Sequence, residues 1–108
     1  MDWFQKAEKA INYLQESETE WSRYKALLKF QSERIKACVA RLSNDAPESS
    51  EAAKKRWAEA SEEYEELINE CTEIAEEFYI LDAKRMRAEQ TIEIWRSVNS
   101  SMKRGGIA

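Results

Sequence analysis

Apolar residues recur along this chain in two series, each with alternating steps of three and four residues. The first series runs from Trp3 to Leu42, and the second runs from Trp57 to Met102. Steps of three and four place side chains on one stripe of an α-helix, and a sustained seven-residue repeat is typical of a coiled-coil seam. The pattern therefore predicts two long helices that pack against each other through these stripes.

A short polar segment separates the two stripes and predicts where the chain turns. It reads Ser-Asn-Asp-Ala-Pro-Glu-Ser-Ser over residues 43–50. Asn44 suits the end of a helix, while Asp45 and Glu48 have the spacing of a capping box at the start of the next helix. Pro47 is tolerated in a first helical turn. We therefore expect the second helix to begin immediately after Asp45.

These signals predict an all-α fold, a long antiparallel helical hairpin of the coiled-coil type. Its helices span about 2–43 and 46–103, in a single domain over 1–104 that is followed by a flexible tail over 105–108. A second capping-box spacing begins at Ser17 and favours an alternative, a three-helix bundle with a break near that residue. The apolar repeat crosses Ser17 without losing phase, so a continuous first helix is the main prediction.

The distribution of charge supports antiparallel pairing independently of the apolar stripes. Residues 59–77 carry nine glutamates and no basic residue, whereas residues 21–43 carry six Lys or Arg and one acidic residue, Glu33. A turn at 44–47 pairs residues whose numbers add to about 95, and it sets these two blocks side by side. Exposed ion pairs are individually weak, but this pattern penalises a parallel arrangement.

Two helices leave much of the apolar surface uncovered, so we predict that the hairpin dimerises into a four-helix bundle. The predicted register also extends the end of the second helix beyond the start of the first. The expected interface consists of apolar residues beside the first stripe and two at this overhang: Phe4, Ile11, Tyr13, Phe30, Val39, Trp95 and Met102.

Two seam positions carry polar residues, Arg85 and Asn99, and two carry cysteine. Arg85 and Asn99 either fix the register of the helices or lie in solvated layers, and the sequence leaves both interpretations open. Cys38 and Cys71 are expected to be reduced core thiols, with a disulfide or redox pair as the alternative.

Composition argues against an enzyme. The chain of 108 residues has no histidine, and its Gly-Gly lies at the C-terminal end, so no glycine-rich phosphate loop is present. The glutamates between Glu59 and Glu77 suit magnesium, but a hard-cation site needs carboxylates that converge from more than one helix. We predict no catalytic residue, cofactor or metal ligand, and a magnesium-dependent all-α hydrolase is the third choice of function.

Basic residues near the C-terminus give the second choice, a nucleic-acid-associated protein. Their side chains would contact phosphates while Trp95 stacks on a base. The candidate contacts are Lys84, Arg87, Arg96, Lys103 and Arg104. Cations are also favoured near a helix C-terminus by the helix dipole, which needs no ligand.

The stretch Arg-Ala-Glu-Gln-Thr-Ile-Glu-Ile-Trp-Arg-Ser-Val-Asn over residues 87–99 resembles the ends of small all-helical accessory proteins of tailed bacteriophages and prophages. This resemblance implies a phage setting in the cytoplasm of a bacterium or infected host, and it implies no mechanism. No apolar run is long enough to suggest a membrane span. The first choice of function is a non-enzymatic coiled-coil adaptor that self-associates and binds a protein partner through its helix faces.

Overall fold

The structure is a computed structural model that describes residues 1–107, and the fold of this part of the chain is all-α. Its helices are α1 (Trp3–Lys29), α2 (Gln31–Ser43), α3 (Glu51–Glu59) and α4 (Glu62–Ile107). Contacts along the chain define two compact units. Unit 1 contains Met1–Ser22 and Phe78–Ala108, and unit 2 contains Arg23–Glu77. The predicted all-α class is therefore confirmed.

The start of α1 is fixed by a reciprocal capping box. The backbone N–H of Gln5 donates to Oδ1 of Asp2 at 2.8 Å, and the N–H of Asp2 donates to Oε1 of Gln5 at 3.1 Å. Both bonds satisfy donors that the first turn of a helix leaves free. From there α1 passes through Ser17 without a break. The alternative of a three-helix bundle divided near Ser17 is therefore wrong.

The first predicted helix is interrupted at Phe30, which has φ −101° and ψ 9°. The interruption is small. The N–H of Phe30 still donates to the carbonyl of Ala26 at 3.2 Å, and its own carbonyl accepts from the N–H of Arg34 at 3.1 Å. Helical hydrogen bonding thus continues across the junction of α1 and α2.

The second predicted helix starts later than the capping-box spacing indicated. Ser50 is the N-cap of α3, with an extended backbone (φ −83°, ψ 146°) and a hydroxyl oxygen that accepts from the N–H of Ala53 at 3.2 Å. Asp45 instead donates its N–H to the carbonyl of Leu42 at 3.0 Å, within the turn that follows α2. Asn44 does end the preceding helix, as predicted.

The role of Ser50 as the N-cap of α3 can be tested by substitution. We expect Ser50→Ala to lower the free energy of unfolding by about 1 kcal/mol, because the N–H of Ala53 loses its acceptor. Asp45→Ala is the control and should change stability by less than about 0.5 kcal/mol. Urea unfolding followed by circular dichroism measures both effects. A larger loss for Asp45→Ala than for Ser50→Ala would contradict the assignment.

A second interruption, at Ala60 and Ser61, separates α3 from α4. The hydroxyl of Ser61 donates to the carbonyl of Ala58 at 2.7 Å and accepts from the N–H of Tyr64 at 3.2 Å, so one side chain serves both helix ends. At the other end, α4 continues to Ile107 and does not stop before Gly105. Ala108, the last residue of the predicted tail, lies outside the described residues.

Unit 2 is held together by an apolar cluster and by ion pairs between its helices. Its buried members are Cys38, Leu42 and Ala58, and Val39, Trp57, Tyr64 and Leu67 pack against them. Arg34 forms an ion pair with Glu70 at 3.2 Å, and Arg41 forms one with Glu63. The hydrogen bond and the charge of Glu63 raise the pKa of Arg41. The predicted pairing of basic and acidic blocks is thus present in unit 2.

Within unit 1, residues near the start of α1 contact residues near the end of α4, so the two helices are antiparallel. The register differs from the prediction. Trp21 contacts Phe78 and Asp82 where Ile74 was expected, and Ser17 contacts Arg85 where Phe78 was expected. The partners of Trp21 and Ser17 on α4 are thus one to two helical turns further along the chain than predicted.

Most of the buried apolar residues are small. Those exposed by less than a tenth are Ala7, Ala10, Cys38, Leu42, Ala58, Cys71 and Ala88. Cys38 and Cys71 are free thiols and both are buried, and their burial agrees with their predicted place in the seam. In residues 1–107, no helix contains an apolar stretch long enough to cross a membrane.

Candidate functional site

A polar layer inside unit 1 explains the arginine in the seam. The guanidinium of Arg85 donates through Nη1 to the carbonyl of Leu14 at 2.8 Å and to the hydroxyl of Ser17 at 2.6 Å. Ser17 is only 7% exposed, and its own hydroxyl donates to the carbonyl of Tyr13 at 2.7 Å. These bonds join α4 to α1 at one level, which favours the interpretation that Arg85 fixes the register of the helices.

Aromatic contacts extend this layer. The indole N–H of Trp21 donates to Oδ1 of Asp82 at 2.9 Å, and its ring stacks on Phe78 with centroids 6.3 Å apart. The guanidinium of Arg85 lies 4.8 Å from the centre of the same indole ring. Each of these interactions is modest alone, but together they make Trp21 a central contact between the two helices of unit 1.

An aromatic groove lies where the start of α1 meets the end of α4. Phe4 and Trp95 make an edge-to-face contact with centroids 6.4 Å apart. The groove has a volume of about 530 Å³ and is lined by Asp2, Trp3, Phe4, Trp95, Val98, Asn99 and Met102. Asn99, the second polar seam residue, therefore lies at the rim of this groove. Its walls combine tryptophan, phenylalanine and methionine, residues enriched at the centres of protein interfaces.

The predicted overhang is corrected by this geometry. Trp95 contacts the ring of Phe4 and does not project beyond the start of α1. Val98 and Met102 share the groove with Asp2 and Trp3. The overhang is absent because the observed register places the end of α4 beside the start of α1.

The other residues predicted for the interface are exposed to different extents. Phe4, Ile11, Phe30 and Met102 are 61%, 42%, 55% and 71% exposed. Tyr13 and Val39 are half-buried, and Val39 packs against the apolar cluster of unit 2. Among these positions, the structure brings Phe4, Trp95 and Met102 together at one place, the aromatic groove.

A second apolar surface, on α4, was not recognised as a continuous stripe from the sequence. We call it the outer face of α4. Its large side chains are 44–64% exposed, and they are Tyr79, Ile80, Met86 and Ile94. The signal in the sequence was the spacing of Tyr79, Ala83, Met86 and Gln90, which repeats the steps of the seam but starts two residues earlier than Leu81.

The basic residues predicted to contact nucleic acid are all exposed but do not form one surface. At about 100° of rotation per residue, Lys84 and Arg87 lie on one side of α4, while Arg96 and Lys103 lie on another. Arg104 points away from both pairs, and Arg96 forms an ion pair with Glu93. Phe4 packs against the ring of Trp95, which was expected to stack on a base. Nucleic-acid binding stays a prediction.

Several glutamates of the acidic flank contact basic side chains. Glu63 forms an ion pair with Arg41, and Glu70 forms one with Arg34. Nζ of Lys55 lies 3.8 Å from Oε1 of Glu59. Across the described residues, no three Asp, Glu, Cys or His side chains are grouped in a way that suits a metal ion. The hydrolase alternative also stays a prediction.

The best candidates for a binding site are therefore two exposed apolar surfaces of unit 1, the aromatic groove and the outer face of α4. In comparisons with known proteins, no family model, no curated protein and no solved structure matches this chain.

Proposed function

We propose that this protein is a non-enzymatic helical interaction module, which self-associates and binds a protein partner through exposed helix faces. The observation that carries the proposal is the double-sided character of α4 in unit 1. One side contacts α1 through Phe78 and Arg85, and on that side Leu81 and Ile92 are half-buried and Ala88 is buried. The other side presents Tyr79 and Met86 to solvent. A helix that is apolar on opposite sides needs a second packing partner.

The aromatic groove supports the second half of the proposal, the binding of another protein. Trp3 is 36% exposed and Met102 is 71% exposed, so large apolar surface lies open beside the half-buried Trp95. Indole and thioether groups bury much area on contact, and Met adapts its shape to different partners. A partner with an apolar anchor, such as the apolar stripe of an amphipathic helix, suits this groove.

An accessory role in a bacteriophage or prophage is part of this proposal and rests on the resemblance of residues 87–99 alone. A module without chemistry of its own fits such a role, because it acts by holding other molecules together. Within this proposal the protein works in the cytoplasm of the bacterial cell.

Self-association is tested by sedimentation velocity on the full chain from low to high micromolar concentration under reducing conditions. We expect dimers or larger species that dissociate on dilution, and a melting temperature that rises with protein concentration. Reducing conditions keep Cys38 and Cys71 from joining two chains. A single monomeric species at every concentration would exclude self-association as the mode of action.

A further inference from the structure

We propose that the outer face of α4 over residues 79–94 binds the same face of a second copy of this chain, with the two α4 helices parallel. This inference rests on the proposed function, because it names the partner and the surface through which self-association occurs.

The outer face lies opposite the seam of unit 1. The seam residues of α4 are half or fully buried: Leu81, Arg85, Ala88 and Ile92. The exposed series follows the same steps of four, three and four residues: Tyr79, Ala83, Met86 and Gln90. An offset of two residues corresponds to about 200° around a helix. The side of α4 that α1 does not cover thus has the period of a coiled-coil seam.

Apolar side chains along this face are large and accessible. Tyr79 is 64% exposed, Ile80 55%, Met86 53% and Ile94 44%. Together they cover about 22 Å of helix at 1.5 Å per residue. A stripe of this length, with side chains at helical spacing, suits another helix that lies along it.

Charges follow the two edges of the outer face with opposite signs. Arg87 lies along one edge and Glu89 lies along the other. Lys84 is further round on the basic side and Glu93 is close to Met86 on the acidic side, and all four residues are exposed. Arg96 also lies on the acidic side, where it pairs with Glu93 and leaves Glu89 as the main negative charge. The apolar stripe is therefore bordered by a positive and a negative edge.

This asymmetry identifies the occupant as a second copy in parallel orientation. When two identical helices lie parallel about a twofold axis, the left edge of each faces the right edge of the other. Arg87 of one copy then faces the acidic edge of its partner, twice in each dimer. An antiparallel pair would place like edges together, which opposes binding. The surface is thus complementary to itself in one orientation.

The first test compares two matched substitutions of exposed isoleucines in unit 1. Ile80→Asp places a carboxylate in the proposed interface. Ile11→Asp does so on α1, at a residue that the sequence predicted for the interface but that lies outside the outer face of α4. We expect Ile80→Asp to raise the dimer dissociation constant at least about tenfold and Ile11→Asp to change it less than about twofold, by sedimentation velocity. Circular dichroism verifies that both variants remain helical. A dimer that Ile80→Asp leaves intact would overturn this inference while leaving the proposed function standing.

The second test uses charge and does not depend on removing apolar surface. Arg87→Glu or Glu89→Lys alone should weaken the dimer, because each brings like charges together across the parallel pair. The double variant R87E/E89K should recover most of the wild-type affinity, since the edges are exchanged but remain opposite. Stronger dimerisation by either single variant would indicate an antiparallel pair and would overturn the proposal.

Orientation is read directly from a cysteine cross-link. In a parallel pair, Ala83 faces Ala83 of the other copy, so Ala83→Cys should give a covalent dimer under mild oxidation. Wild type is the control, because Cys38 and Cys71 are buried. A cross-link that forms only when Ala83→Cys is mixed with Gln90→Cys would show the antiparallel arrangement. A wild-type protein that is monomeric throughout would instead remove the proposed function together with this inference.

Discussion

Trp21→Ala should lower the free energy of unfolding by about 3 kcal/mol, the largest effect we expect for a single side chain in unit 1. The substitution removes the ring that stacks on Phe78 and makes a cation–π contact with the guanidinium of Arg85. It also removes the indole donor to Asp82, so a half-buried carboxylate loses a hydrogen bond. Urea unfolding monitored by circular dichroism, at one fixed protein concentration, measures the loss.

Trp3→Ala is the matched control for this prediction. Trp3 is 36% exposed at the aromatic groove, and Nζ of Lys6 lies 4.5 Å from the centre of its ring. Its loss should cost less than that of Trp21, about 1–2 kcal/mol, since Trp3 is the first residue of α1 and about a third of its surface is already exposed. Equal losses for the two tryptophans would mean that the polar layer around Trp21 contributes nothing specific to stability.

In unit 2, Leu42→Ala should destabilise the protein by about 2–4 kcal/mol. Leu42 is 7% exposed and belongs to the cluster with Cys38 and Ala58, so its truncation leaves a cavity. Val39→Ala is the control, because Val39 lies at the edge of the cluster and should cost about 1 kcal/mol. Thermal and urea unfolding at fixed concentration report both values. A Leu42→Ala variant as stable as wild type would show that the cluster does not hold unit 2 together.

The all-α class followed from the period of the apolar residues, because steps of three and four are a local property of a helix. The ion pairs of unit 2 followed from the two charge blocks for a similar reason. Charge sign is visible in the sequence, and an antiparallel turn brings 21–43 beside 59–77. The start of the first helix, predicted at about residue 2 from the repeat, agrees with the observed start at Trp3.

The register was predicted one to two turns away from the observed one, and the second helix was predicted to start several residues too early. Asp45 with Glu48 has the spacing of a cap, but Ser50 adopts the extended backbone that a cap requires. The interruptions at Phe30 and at Ala60–Ser61 also have no strong breaker such as Pro or Gly. Tertiary packing determines where such helices are interrupted, and the spacing of residues in the sequence does not show it.

For the candidate site, the sequence identified individual residues correctly but did not show which of them lie together on one surface. Phe4, Trp95 and Met102 were singled out, but only the true register brings them to one groove. The outer face of α4 was overlooked because the seam series on the same helix includes larger residues. When a helix carries apolar stripes on opposite sides, its apolar residues are not concentrated on one side. The weaker stripe is then hidden by the stronger one in the sequence.

At the buried alanines and cysteines, substitution by a larger side chain is expected to be more harmful than substitution by a smaller one, the reverse of most protein interiors. With Ala58 fully buried and Ala7 and Cys71 each 2% exposed, the backbones rather than long side chains fill much of the space between the helices. Loss of a methyl group at such a site removes little, whereas an added branch forces the helices apart along several turns. Natural variation in this protein is therefore expected to conserve small volume at these sites more strictly than hydrophobicity itself.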